Sequence, residues 1–502
     1  RTLSELGCSE CLIFGSLRAQ VAIAFALPLA VGLAHSLCAI SVLNELVSAF
    51  GYSDALDGMT LGLVLFALPM IAGNLLQQTY NIIDAAIVGQ TLGAQALAGV
   101  GASSSVQFLV LGFCMGSCAG FGVPIAKYFG AGDQKKMRDC VFNGAALTAL
   151  IAVILTITCS LLCNSILHIL SVPSDIYADA YRYLIVIFLG IPFTLMYNYL
   201  SSILRSVGDS RTPFLFLAFS AGLNIFLDLF CIIVLHWGCM GAAIATVTAQ
   251  AVSAVLCLLF IKKKMPLLWL EKENRIMQRN TSAELLKMGL PTGFQFSITA
   301  IGSMVMQSAN NGLGSICVSG FTAGMRIKQF TMCPFDAFGT AASVFCSQNL
   351  GAGKADRIKK GFWEGISVAV LYGLFAGVIL VFLGRPLSMI FIKKDAVEVL
   401  DASAKYLRCM GYFYWSLGIL NVARMVTQGL GYSGRAVFSG VTEMIARTVV
   451  SLGFVGTYGY TAICFADQTA WVSACIYIVP TCILCMKKSI KMLEKRETLR
   501  EA

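Results

Sequence analysis

Apolar runs close to the ~20 residues that cross a hydrocarbon layer recur along the whole chain, divided by short loops marked with Gly, Pro or charge. About thirteen such runs can be marked out. Their length fits helices rather than the ~10-residue alternating strands of a barrel. The run from Phe66 to Gly101 breaks the pattern. Asn74, Gln78, Asn81 and Asp84 recur there at intervals of three and four, which places them on one helical face. A carboxylate inside a membrane costs at least ~2.5 kcal/mol, so it normally faces a protein interior or a watery cavity and has work to do. Asp84 is therefore read as the working residue. A stripe that merely joins helices is the alternative.

Composition narrows the class. With 57% hydrophobic and 12% charged residues and a mean hydropathy of +0.78, the chain is expected to be an all-α polytopic membrane protein. The formal charge of +10 sits in loops between apolar runs. There it orients the chain in a lipid bilayer, and no basic domain is left to bind nucleic acid. Most of the 19 cysteines, among them Cys114, Cys118, Cys159, Cys163, Cys257 and Cys485, lie inside apolar runs and read as small core residues. Cys8 and Cys11 form one CxxC without a second pair or a nearby His, so no metal site is expected. His35, His168 and His236 each stand alone. The YFGAGD and NLGAGK loops lack the spacing of a phosphate loop and read as turns between helices. No nucleotide-binding domain, catalytic triad, metal cluster or haem motif is legible, so the chain reads as no enzyme and as needing no cofactor. Its energy would come from an ion gradient or from a partner.

From residue 60 onward the chain repeats itself at an offset of about 222. FALPMIAGNLLQQ at 66–78 returns as MGLPTGFQFSITA at 288–300, pairing Pro69 with Pro291. VPIAKYFGAGDQKKMRD at 123–139 returns as SVFCSQNLGAGKADRIKK at 343–360, and the segment 181–214 is echoed at 404–438. Six spans per copy return the chain to its starting side, so the copies run parallel. The organisation expected is an extension over 1–58 with one extra helix, an N-lobe over 59–261, a linker over 262–284, a C-lobe over 285–486 and a basic tail over 487–502. Lys127 to Arg138, Arg205 to Arg211, Lys262 to Lys264, Lys354 to Lys360, Arg424 to Arg435 and the tail would share the cytoplasmic side. Lys393 and Lys394 break this rule. The linker, with Trp269 and Leu270, is expected either along the membrane surface or as a solvated tether. Residues 1–58 do not read as a signal peptide, because the apolar run is long and follows several charges.

Candidate chemistry is unequal between the copies. Asn224 and Asp228, four residues apart, share a helical face in the fifth span and supply a second intramembrane carboxylate. Tyr183 and Thr246 could add hydroxyl hydrogen bonds. Two buried acids near each other can take up and release protons near neutral pH. The alternative is that Asp228 only bonds Asn224 to support packing. In the second copy Gln295, Thr299, Ser303 and Gln307 keep the polar stripe, but Met306 matches Asp84. Glu443 and Arg447 are spaced for an internal, structural ion pair.

Taken together, FALPMIAGNLLQQTYNIIDAAIVG, IAKYFGAGD, ILRSVGDSRTP, NIFLD, GAAIATVTAQ and the half-length repeat with GLP and NLGAGK resemble the MATE family, multidrug and toxic compound extrusion, in its DinF-like branch. The resemblance covers residues 60 to about 490. It implies two six-helix lobes around a central cavity, opening alternately to either side, and export of organic cations or amphiphilic toxic compounds in exchange for protons or sodium. It carries the cation site to Asp84, Asn224, Asp228, Thr246 and Tyr183, with Asn74, Gln78, Asn81, Gln295, Thr299 and Gln307 as polar cavity lining. The C-lobe acid of the NorM-like branch is not evident. A monomer in the bacterial cytoplasmic membrane is expected. SLRAQVAIAFALPLAVGLAHSLCAISVLNEL, near the start of the chain, resembles instead the terminal helix region of bacterial peptide-resistance ABC permeases. Two competing readings follow, a flippase for lipid-linked glycans of the same superfamily and a non-transporting subunit of an ABC assembly.

Overall fold

A computed structural model describes residues 58–170 and 172–501. The extra helix, the CxxC pair and the permease-like segment lie outside them. Helices make up most of this range. In the first half α1 (Gly58–Leu92), α2 (Ala94–Gly130), α3 (Gln134–Ile169), α4 (Tyr177–Leu189), α5 (Ile191–Ser206), α6 (Arg211–Leu229) and α7 (Gly238–Lys264) follow one another. The second half holds α8 (Arg279–Asn311), α9 (Ser315–Gly351), α10 (Ala355–Ser388), α11 (Val397–Gly429), α12 (Ser433–Thr448), the single turn α13 (Val455–Tyr458) and α14 (Tyr460–Glu501). Among the described residues eight helices are long and apolar enough to cross a membrane, or nine if α4 and α5, bent by 47°, form one span. That bend falls at Gly190, with Pro192 in the first turn of α5. A Cβ at Gly190 would collide with the Val247 side chain, so a close helix contact is the reason for glycine there. The helices α8, α9 and α11 complete two sets of six.

The repeat is written into the backbone. Among the described residues, the eight glycines with positive φ fall into four pairs, Gly93 with Gly314, Gly132 with Gly353, Gly208 with Gly431 and Gly238 with Gly459. Each pair occupies the same turn in the two halves, where an L side chain would be strained. Both α6 and α12 also run out into a single π turn, Phe230–Val234 and Val449–Gly453.

Each lobe has its own core. Phe121, Ile125, Leu184, Phe188 and Leu204 anchor the first, and Phe335, Tyr406, Tyr414, Leu420 and Trp471 the second. The lobes meet where α2 packs on α8 and α1 on α9. Gly116 and Gly120 face Gly289 and Gly293, and a Cβ at any of the four would stand under 3.0 Å from an atom across the seam. Paired small residues at four-residue spacing let two helix backbones touch. On the other side the contact is looser, with Leu63, Ala67 and Ile71 against Ala337 and Ala341. At the end carrying the Gly132 and Gly353 turns, Gly130 and Gly351 abut Gln348 and Lys127, Ser347 Oγ donates to the Val123 carbonyl over 2.9 Å, and Gln348 Nε2 donates to the Ser206 carbonyl over 2.8 Å. The two lobes are thus shut together at that end.

The connection between the halves lies docked on the first lobe. Leu268 is buried. Asp139 of α3 accepts from Asn274 Nδ2 at 2.9 Å and from Gln278 Nε2 at 3.1 Å, and Asn143 Oδ1 accepts from the Gln278 backbone N–H at 2.8 Å. The basic tail forms the last turns of α14, continuing the helix through KKSIKMLEKRETLRE, a run rich in strong helix formers.

Candidate functional site

The polar residues of the first lobe come from four helices. α1 supplies Asp84, α6 Asn224 and Asp228, α4 Tyr183 and α7 Thr246. α6 packs on both α1 and α7, and α4 on α7, so these residues share one interior. Asp228 is 0% and Asn224 2% exposed, and Tyr183 is also buried. Asn224 Nδ2 donates weakly to Thr246 Oγ1 over 3.4 Å. The carboxyl groups of Asp84 and Asp228 are close enough to feel each other's charge. Yet Asp84 Oδ1, both Asp228 oxygens and Asn224 Oδ1 are buried and receive no hydrogen bond. Two like charges ~4 Å apart repel by about 4 kcal/mol at an effective dielectric near 20. Either a shared proton or a bound cation would relieve such repulsion.

The remaining residues singled out in the sequence spread along the lobes. Asn74 and Gln78 are half-buried on α1 and Asn81 is exposed. Gln295 is buried and takes a hydrogen bond from Gln428 Nε2 within its own lobe. Thr299 Oγ1 is buried without a partner. Gln307 Nε2 donates to Asn311 Oδ1 over 3.0 Å, and Met306 is fully buried. Sequence reasoning passed over Tyr80 and Gln250. Tyr80 is buried one turn before Asp84 and feels both carboxylates, while Gln250 Oε1 is a further buried acceptor without a donor. The four-residue step from Tyr80 to Asp84 was a usable signal.

The second lobe is more charged than its sequence suggested. Arg447 Nη2 does bind Glu443 at 3.2 Å, but the pair is the middle of a chain. Arg424 also binds Glu443, Arg447 Nε binds Asp467 at 2.9 Å, and Lys328 Nζ binds Asp467 at 2.6 Å. Tyr406 donates to the same Asp467 over 2.8 Å. Asp336 of α9 is half-buried and accepts from Asn421 Nδ2 at 3.4 Å. Counting back from the two π turns, Asp228 and Arg447 each stand two residues before the turn, and Asn224 and Glu443 six. Tyr183 and Tyr406 hold like places before the paired glycines Gly208 and Gly431. The same internal position is thus built twice, with free acids in one lobe and an acid–base chain in the other.

This doubled interior has a counterpart among known proteins. The MatE family model matches the chain twice, over residues 69–230 and 291–452, displaced by 222 at both ends. The chain belongs to the MATE family. A probable multidrug resistance protein of Bacillus subtilis, YpnP, is 31% identical over 74% of this chain and 82% of its own length. The probable multidrug resistance protein NorM of Thermotoga maritima is 26% identical over 74% of this chain and 80% of its own. Among solved structures, an outward-facing MATE family transporter superposes with a TM-score of 0.81 at 20% identity, over 86% of this chain and 96% of that one. The two parallel six-helix repeats expected from the sequence are the MATE fold. A multi-pass membrane transporter of the multidrug efflux family follows.

Proposed function

We propose that this MATE transporter exports organic cations or amphiphilic compounds across the cytoplasmic membrane by exchange for protons, with Asp84 and Asp228 as the coupling pair. The observation that supports this reading is the pair itself, two facing carboxylates with three buried oxygens and no donor. A proton entering from outside neutralises the pair, and loss of that proton restores the negative charge that favours a cationic substrate. Proton and substrate then exclude each other, which couples export to the gradient without ATP. One charge moved through 100 mV is worth ~2.3 kcal/mol, about fifty-fold in concentration. Asn224, Thr246 and Tyr183 line the same interior and complete the polar site around the pair.

Sodium is the second reading, favoured by Asn224 Oδ1, whose buried and unbonded oxygen adds a neutral ligand beside the carboxylates. The lobes close at the end that carries Lys127, Lys136, Lys354 and Lys360. With that end cytoplasmic, a central cavity of the family's kind would open outward. The deciding experiment is uptake of a fluorescent organic cation into inverted vesicles, with a proton or a sodium gradient imposed separately. Uptake under the proton gradient alone supports proton coupling. Uptake under sodium alone assigns the site to sodium, and uptake under neither removes the exporter reading.

A further inference from the structure

The face by which α9 meets the first lobe can be followed along the helix. Gln348 donates to the Ser206 carbonyl, and Ala337, eleven residues earlier, packs with Leu63, Ala67 and Ile71 of α1. Eleven residues make close to three full turns, so the residue eleven before Ala337 points the same way. That residue is Arg326, and it is exposed. Ser319 and Thr322 are exposed on the same face and Gln329 is half-buried, at steps of three and four. On α1 the face of Leu63, Ala67 and Ile71 continues at the same steps into Asn74, Gln78 and Asn81, of which Asn81 is exposed. α9 ends at the shut end with Gly351, and α1 begins near it, where the Phe66 carbonyl accepts from Ser210. Beyond the packed contact, Gln78 and Asn81 rise ~11 to 15 Å past Ile71, and Arg326 rises ~17 Å past Ala337. Two polar stripes thus face each other at one level where the lobes part.

Among the described residues no hydrogen bond or ion pair engages Arg326. An arginine within a span is expensive unless it faces water, a partner or a transported solute, and such residues mark solute paths. Packing against its own lobe does not explain it, because it lies on the face turned to the other one. The repeat partner of Arg326 at an offset of 222 is Ser104, so the charge belongs to one wall alone. Across from it stand the amides of Gln78 and Asn81, with Asp84 one turn further along α1. A guanidinium is a rigid fork of donors that fits a carboxylate with two parallel bonds. We propose that Arg326 is a specificity-determining residue that binds an anionic group of the solute, so that this transporter carries zwitterionic amphiphiles. Their cationic end lies toward Asp84 and Asp228 and their carboxylate on Arg326. The assignment rests on the exporter reading above and narrows its substrate class.

The test uses two fluorescent xanthene dyes of one ring system, a zwitterion with a free carboxylate and its methyl ester, which is a cation. Binding to the purified full chain in detergent, followed by fluorescence polarisation, reads Arg326 directly. The parent should bind the zwitterion about tenfold more tightly than the ester. Arg326→Gln should erase that preference by weakening the zwitterion alone. Arg326→Lys should keep part of it, because the charge stays while the fork is lost. A parent chain that binds the two dyes equally, or binds neither, would overturn the assignment. So would a loss shared by both dyes in Arg326→Gln, which is what a merely structural arginine gives. Uptake of the same dyes into inverted vesicles tests the exporter separately. The binding preference without uptake under either gradient would keep the assignment of Arg326 and remove only the exporter reading.

Discussion

Gly120 of the first lobe lies backbone to backbone against Gly289 of the second, so that a Cβ on Gly120 would stand 2.7 Å from the Gly289 Cα and 2.6 Å from the Met288 carbonyl oxygen. No side chain can yield at such a contact, because backbone faces backbone. Gly120→Val should therefore force the lobes apart at this seam. We expect well-inserted protein that loses most transport. Cysteines placed on the two sides of the seam, which cross-link in the parent, should no longer do so. Undiminished cross-linking would show that the helices repack around the valine.

The facing acids predict non-additive losses. Asp84→Asn and Asp228→Asn should each abolish gradient-driven export while leaving insertion intact, since the amide keeps the size but does not titrate. The double variant should be little worse than either, as residues acting as one unit fail together. Concentrative transport at the parental rate in either single variant would exclude that residue from coupling.

In the second lobe Glu443 neutralises two arginines. Glu443→Gln should cost about 3 to 5 kcal/mol of stability, seen as reduced protein level and Tm, because buried cations lose their partner. Rescue should be asymmetric. Arg447 still has Asp467 bound to it, whereas Arg424 keeps the Ser439 hydroxyl and only the unbonded charge of Asp336, so adding Arg424→Gln should restore more protein than adding Arg447→Gln. Equal rescue by both would refute that division of charge.

The docked linker predicts protease resistance. Asp139→Ala removes the acceptor for Asn274 and Gln278, at about 1 to 3 kcal/mol for the groups left unpaired. Limited proteolysis of inverted vesicles should then cut between 265 and 278 faster than in the parent, while α3 itself stays protected.

Topology is checked in intact cells. Cysteines introduced at Glu273 and Lys495 should resist a membrane-impermeant maleimide and react after permeabilisation. Labelling of both before permeabilisation would invert the orientation drawn from the basic clusters.

The sequence by itself determined the membrane class, the doubled six-helix plan and the acids of the first lobe. These are written in short-range signals, namely apolar run length, a displacement of 222 residues and steps of three and four that assign a helical face. The lone Glu443–Arg447 spacing was legible in the same way, and the structure contains that pair. Only the tertiary structure decided what the pair belongs to. Lys328 and Asp467 are 139 residues apart, and Arg424 and Glu443 lie on different helices. Periodicity reports which face of its own helix a charge occupies, but not which neighbouring helix turns a charge toward it. The same reason separates the surroundings of the acids in the two lobes. In sequence Asp228 and Asp467 are alike as lone intramembrane acids. In three dimensions Lys328 and Arg447 neutralise Asp467, while no cation is paired with Asp228 among the described residues and its nearest charged group is another carboxyl group.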